Sequence, residues 1–179
     1  MWISLIGFNA TGKSTLAAGL GHALQRQVVD LDRAVEARSG LTLPAIFSEG
    51  GPAEFRRLEL AVLDDLPADR DLIVATGGGT VEWEATGQLL ARRGVVVWLD
   101  AVWPVLRRRL APSAGQDPTP VWQHLGEDGL AALYARRRPL FAALANLRLD
   151  TNSEVPSALT RRLLGQLAHR ESAVQELES

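Results

Sequence analysis

Lysine accounts for one of the 19 basic residues in this 179-residue chain, and the rest are arginine. That lysine, Lys13, sits inside Gly7-Phe8-Asn9-Ala10-Thr11-Gly12-Lys13-Ser14-Thr15, a match to G-x-x-x-x-G-K-[ST]. The chemistry such spacing serves is phosphate binding. Glycines at its ends let successive amides turn inward around phosphate oxygens. A compact ammonium on a flexible stem reaches between the β- and γ-phosphates, where a planar guanidinium is wider and differently hydrated. Ser14 follows with a hydroxyl suited to Mg²⁺.

Two further segments could do chemistry. Val29-Asp30-Leu31-Asp32 places two carboxylates at i and i+2. On extended chain they project to the same side, one toward the hydration shell of Mg²⁺ and the other toward an acceptor hydroxyl. Read alone, Asp32 serves equally well as the N-cap of a following helix. Ile73-Val74-Ala75-Thr76-Gly77-Gly78-Gly79-Thr80 ends an apolar run in three glycines. Three missing side chains in a row suit a place where backbone approaches a ligand closely, in preference to a merely flexible turn.

These segments need elements to hold them. Five short apolar, β-branched runs stand out: Ile3–Ile6, Val28–Asp30, Leu72–Ala75, Val95–Leu99 and Leu147–Asp150. Helical spacing separates them, over Lys13–Gln25, Ala53–Leu66, Glu82–Arg93, Val102–Leu110, Leu130–Leu144 and Pro156–Leu167. Near-continuous apolar strands alternating with helices predict a parallel sheet covered on both faces. In such a sheet the carboxyl ends of the strands face the ligand crevice, which is where all three segments fall. The stretch from Ala111 to Pro120 has three prolines and no apolar period, and it reads as a mobile excursion. We expect one domain over residues 1–170 with that excursion as a lid, and a frayed tail over 171–179.

Composition narrows the classes. A net charge of −2 offers no general attraction to nucleic acid or an anionic membrane. With no cysteine there is no disulfide, thiolate metal site or cysteine nucleophile, and His22, His124 and His169 are scattered along the chain. The start lacks the flank of a secretory signal, and no apolar run nears the ~20 residues that span a bilayer. The expected address is the cytosol.

Taken together the motifs resemble those of shikimate kinases, small P-loop kinases of aromatic amino-acid biosynthesis. The likeness runs from Ile3 to about Pro156. It rests on the glycine loop, Asp30-Leu31-Asp32-Arg33, Ile46-Phe47, Phe55-Arg56-Arg57-Leu58-Glu59, the triple glycine, Arg137 before Pro139-Leu140-Phe141, and Asp150-Thr151-Asn152. The resemblance implies a three-layer α/β P-loop fold with sheet order 2-3-1-4-5, and ATP-dependent phosphorylation of shikimate at its 3-hydroxyl.

It also implies roles. Lys13 and the loop amides (Gly7, Asn9, Ala10, Thr11, Gly12, Thr15) would hold ATP phosphates, and Ser14 with Asp30 would hold Mg²⁺. Asp32 would bind ring hydroxyls and take the proton of the attacking one. Arg56 and Arg137, which by themselves read as helix-surface arginines, would clamp the substrate carboxylate bidentately. Gly77, Gly78 and Gly79 would contact the ring, Phe47 and Phe55 would wall it, and the loop bearing Asn152 would border adenine. The protein is expected to work as a monomer.

Two departures from the family pattern stand out. Its lid normally carries an arginine just before a proline, yet no basic residue occurs from Ala111 to Pro120; the matching place reads Asp117-Pro118-Thr119-Pro120. One of Arg107, Arg108 or Arg109 at the lid's base is the candidate replacement. Ala17-Ala18 also replaces the usual Gly-Arg. Two other readings stay open: a related small-metabolite kinase of the gluconate type, and a shikimate-binding protein with weakened catalysis.

Overall fold

The structure, a computed structural model, describes residues 1–111 and 125–178, with side chains through residue 170. The expected lid from residue 112 onward lies outside the described residues.

Five parallel strands form one sheet: β1 (Trp2–Ile6), β2 (Gln27–Asp30), β3 (Leu72–Ala75), β4 (Gly94–Asp100) and β5 (Leu147–Asp150). Their order is β2-β3-β1-β4-β5, as expected. Strand β1 is central, with Ile3 level with Ile73 on one side and Val95 on the other. Side chains alternate across this sheet with the period of two that pleating imposes. Trp2 and Ile6 of β1, with Val96 and Trp98 of β4, enter one core, while Ile3 and Leu5, with Val95, Val97 and Leu99, enter the other. Both faces are therefore apolar, which explains why the strands read as continuous hydrophobic runs.

The second core is closed by α1 (Lys13–Leu24) and α8 (Pro156–Glu178), through Leu16, Leu20, Leu159, Leu163 and Leu167. Helix α8 continues past Leu167, into the stretch expected as a frayed tail. The first core is covered by α2 (Leu31–Ser39), α3 (Leu43–Glu49), α4 (Gly51–Asp65), α5 (Glu84–Arg93), α6 (Trp103–Leu110) and α7 (Gly126–Leu144). Helices α2 and α3 escape sequence periodicity because they are short and bury little, Leu31 and Val35 in one and Ile46 in the other. Their caps are legible in retrospect: Asp30 accepts from the Arg33 amide, and Thr42 accepts from the Ala45 amide ahead of Pro44.

Two boundaries matter for the site. The helix expected from Glu82 is split into a 3-10 turn over Thr80–Glu82 and α5 from Glu84. Helix α7 starts at Gly126, four residues before Leu130, and carries Leu130, Leu133 and Arg137 along one side, where all three line the same cleft.

Candidate active site

The loop between β1 and α1 is held open for an anion by its own torsions. Gly7 (φ 146°) and Gly12 (φ 95°) occupy the region that favours glycine, and Ala10 (φ 61°) is forced there too. A Cβ on Gly7 would lie 2.5 Å from the Leu99 carbonyl oxygen. Gly12 caps α1 without a side-chain hydrogen bond, so the first amides of the helix stay directed at the cradle. The buried Thr11 pins the loop from within, its hydroxyl donating to the Phe8 carbonyl at 2.8 Å and its own amide to the same oxygen at 3.4 Å. Lys13 Nζ donates to the carbonyls of Gly7 (2.9 Å) and Phe8 (2.8 Å). Burial brings this ammonium down to about 8, with the charge of Asp32 opposing the drop, so it remains largely cationic at pH 7.

The acidic pair divides its labour. Asp30 ends β2, caps α2, and accepts from the Ser14 hydroxyl at 3.1 Å. The alternative reading of Asp32 as the N-cap is therefore corrected: Asp30 fills that position, and Asp32 lies in the first turn with its carboxylate free of capping duty. Burial raises Asp32 to about 6, helped by the charges of Glu59 and Asp30 and opposed by Lys13 and Arg56. A carboxylate poised there suits proton acceptance near neutrality.

The three glycines have separate tenants. A Cβ on Gly77 would come within 2.8 Å of Asp32 Oδ1, one on Gly78 would collide with Asn9 Oδ1, and one on Gly79 would collide with Arg56 Nη2 and lie 2.6 Å from Arg137 Nη2. None of the three has a positive φ. Torsional freedom is thus not what they supply. They are seats for the protein's own functional side chains.

The guanidiniums of Arg56 and Arg137 meet over Gly79, and each is held by a carboxylate. Arg56 Nη1 donates to Glu59 Oε2 at 2.6 Å, while Thr80 Oγ1 donates to the other oxygen of this fully buried glutamate. Arg56 also lies 5.0 Å over the Phe55 ring. Arg137 Nη2 donates to Glu82 Oε2 at 2.6 Å, and Arg136 takes the second oxygen of Glu82. Burial pulls the Arg137 guanidinium below its ordinary value, and the Glu82 carboxylate opposes that. Arg137 Nε is buried and unpaired among the described residues. Like charges brought this close need such counter-ions, since an unpaired buried cation is costly.

A cleft opens in front of this pair. It is lined by Asp32, Phe47, Phe55, Arg56, the three glycines and Arg137, all expected from the sequence. Phe47 and Phe55 stack with centroids 4.8 Å apart. Phe8, Leu43, Leu130 and Leu133 complete the apolar wall and were not anticipated. Glu59 was visible only as part of the Phe55–Glu59 element, and Glu82 had no sequence signal. A second cleft, lined by Ala10, Gly12, Lys13, Ser14, Thr15 and Asp30, adjoins the first. Asn9, Asp32 and Gly78 line both.

On the far side of the loop, the Asn152 carboxamide is occupied: it accepts from the Val102 amide and donates to Asp150, each at 2.8 Å. Its backbone is engaged as well, the amide donating to Asp150 at 2.8 Å and the carbonyl accepting from Arg109 at 3.5 Å. Arg109 Nη2 donates to the Thr151 carbonyl at 2.6 Å, and Nη1 to that of Ala10 at 3.4 Å, so it bridges the glycine loop and the β5–α8 loop. Arg107 instead pairs with Glu127 at 3.0 Å.

Comparison with known proteins agrees with this geometry. The family described as shikimate kinase matches residues 9–168. Shikimate kinase of Bordetella pertussis is 37% identical over 171 residues, covering 92% of this chain and 77% of that protein. The solved structure of shikimate kinase from Acinetobacter baumannii in complex with shikimate superposes with a TM-score of 0.86 at 29% identity, over 94% of this chain and 93% of that one. A gluconokinase from Sinorhizobium meliloti superposes less well, with a TM-score of 0.66 at 16% identity over 99% and 97% of the two chains, and shares the fold alone.

Proposed function

The chain belongs to the shikimate kinase family, and on that premise we propose that it transfers the γ-phosphoryl group of ATP to the 3-hydroxyl of shikimate, giving shikimate 3-phosphate and ADP. The observation that carries this reading is the pair of adjoining clefts, an ammonium cradle and a two-guanidinium pocket, sharing a border at Asp32. A small hydroxylated acid fits the second: Arg56 and Arg137 clamp its carboxylate, the phenyl rings of Phe47 and Phe55 cover its ring, and Asp32 and the Gly77–Gly79 backbone take its hydroxyls.

Asp32 orients the attacking hydroxyl and accepts its proton as the oxygen–phosphorus bond forms. The bond from phosphorus to the bridging oxygen breaks, and the electron pair leaves with ADP. Lys13 and the loop amides hold the phosphate chain, so the reaction is promoted by positioning and charge neutralisation.

Magnesium fits the rim of the cradle. The Ser14 hydroxyl and Asp30 carboxylate are hard oxygen donors already 3.1 Å apart. Among the described residues no cluster of three acidic, histidine or cysteine side chains forms a cage. One or two protein oxygens beside phosphates and water is the usual way Mg²⁺ is held. Its chemistry there would be neutralisation of charge on the phosphate chain. Of the three arginines at the base of the expected lid, Arg109 is the one bonded to the glycine loop, at the Ala10 carbonyl, which supports it as the candidate replacement for the missing lid cation.

A coupled ADP-release assay with shikimate and gluconate side by side tests the assignment. We expect turnover with shikimate and none above background with gluconate. The reverse result would overturn it.

A further inference from the structure

At the border of the two clefts stand three residues, and only two have an evident task. Asp32 accepts a proton, and Gly78 is a seat without a side chain. The third is Asn9. Asn9 lines both clefts, its side-chain oxygen rests against Gly78, and its carboxamide makes no hydrogen bond to any described residue. Asn9 is half-buried at the mouth of both clefts, so its carboxamide is free to bond whatever is brought to their shared border.

What arrives, on the reading of the site as one of phosphoryl transfer, is the group in flight. Charge spreads onto its three equatorial oxygens as the bond to the leaving oxygen loosens, and donors fixed at that point lower the barrier. The described cations flank the border from either side, Lys13 in the cradle and the Arg56–Arg137 pair in the acid pocket, so the border itself has a vacancy for a donor that does not disturb Asp32. A neutral carboxamide meets that need: it contributes two N–H groups without a positive charge that would hold Asp32 ionised more firmly and weaken it as a base.

We propose that Asn9 is a catalytic residue, its side-chain amide donating to an equatorial oxygen of the phosphoryl group as it passes from nucleotide to acceptor. The steric requirement at Gly78 then follows. Any side chain at residue 78 would displace the carboxamide from the path of the transferring group.

Steady-state kinetics on Asn9→Ser, Asn9→Ala and Asn9→Asp test this. Residue 9 has no positive φ, so alanine is accommodated there without backbone strain. Activity should fall in the order Asn, Ser, Ala, Asp. Alanine should lose on the order of 10- to 100-fold in kcat, as loss of a transition-state donor does, with both KM values within about threefold. Aspartate is isosteric but replaces two donors with a negative charge, so it should be worse than alanine. A purely structural asparagine predicts the opposite order, with aspartate the mildest change. The inference is overturned if alanine keeps kcat within threefold, if its loss lies wholly in KM, or if aspartate outperforms alanine. Wild-type protein that phosphorylates nothing would overturn the functional reading instead, a result distinguishable before any variant is made.

Discussion

Asp32 offers the most stringent test of the site, because one substitution should change the pH profile and the stability in linked ways. On the proposed mechanism turnover requires Asp32 ionised, with its carboxyl near 6, and Lys13 protonated, with its ammonium near 8. The free enzyme should therefore show a bell-shaped kcat/KM centred near pH 7. At pH 5 roughly one-tenth of Asp32 is ionised, and at pH 9 roughly one-tenth of Lys13 is charged, so each limb falls about tenfold.

In Asp32→Asn the acid limb vanishes, and the rate drops by on the order of 10²- to 10⁴-fold, the usual contribution of a positioned base. Stability should move the other way. A carboxyl raised from 3.8 to about 6 binds its proton more tightly when folded, so wild type loses stability as pH rises between those values. The full shift corresponds to ~3 kcal/mol, and about half that once partial solvent access is allowed for. Asp32→Asn should thus raise the Tm at pH 7, while the gain disappears below about pH 4. Kinetics from pH 5 to 9 and thermal melts at pH 4 and 7 provide the readouts. An acid limb that survives in the variant, or a Tm gain equal at both pH values, would refute the reasoning.

Three further outcomes are expected. Gly79→Ala places a methyl group on Arg56 Nη2 and beside Arg137 Nη2, so the KM for shikimate should rise at least about tenfold while the KM for ATP stays unchanged in steady-state assays. Glu59→Ala strips the buried counter-ion from Arg56 and an acceptor from Thr80; denaturant titration should register a loss of about 3–5 kcal/mol. Arg109→Ala breaks the bridge from Ala10 to Thr151, and calorimetry should find ATP binding weakened several-fold with shikimate binding intact.

Much of the fold was legible because its signals are local. All five strands appear where apolar runs predicted them, since burial on both faces removes polar residues from the strand itself. The cradle was legible for a similar reason: glycine torsions and the helix N-terminus that make it lie within nine consecutive residues. Helices α2 and α3 were missed because their stability comes from packing on α4, which a window of only seven or nine residues is too short to reveal as a period. Glu82 was read as the start of a helix, and its pairing with Arg137, 55 residues away, has no counterpart in local sequence.

The chain alone determined that a triphosphate cradle opens the molecule, that two carboxylates follow the second strand, and that three glycines follow the third. Each depends on residues adjacent in sequence, whose torsions and periodicity are set by their own chemistry. Only the tertiary structure decided why those glycines are needed. Parallel register brings the ends of β1, β2 and β3 level, so that Asp32, Asn9 and the two arginines converge on Gly77, Gly78 and Gly79 in turn. Close approach between segments dozens of residues apart is a property of packed surfaces, and no single segment encodes it.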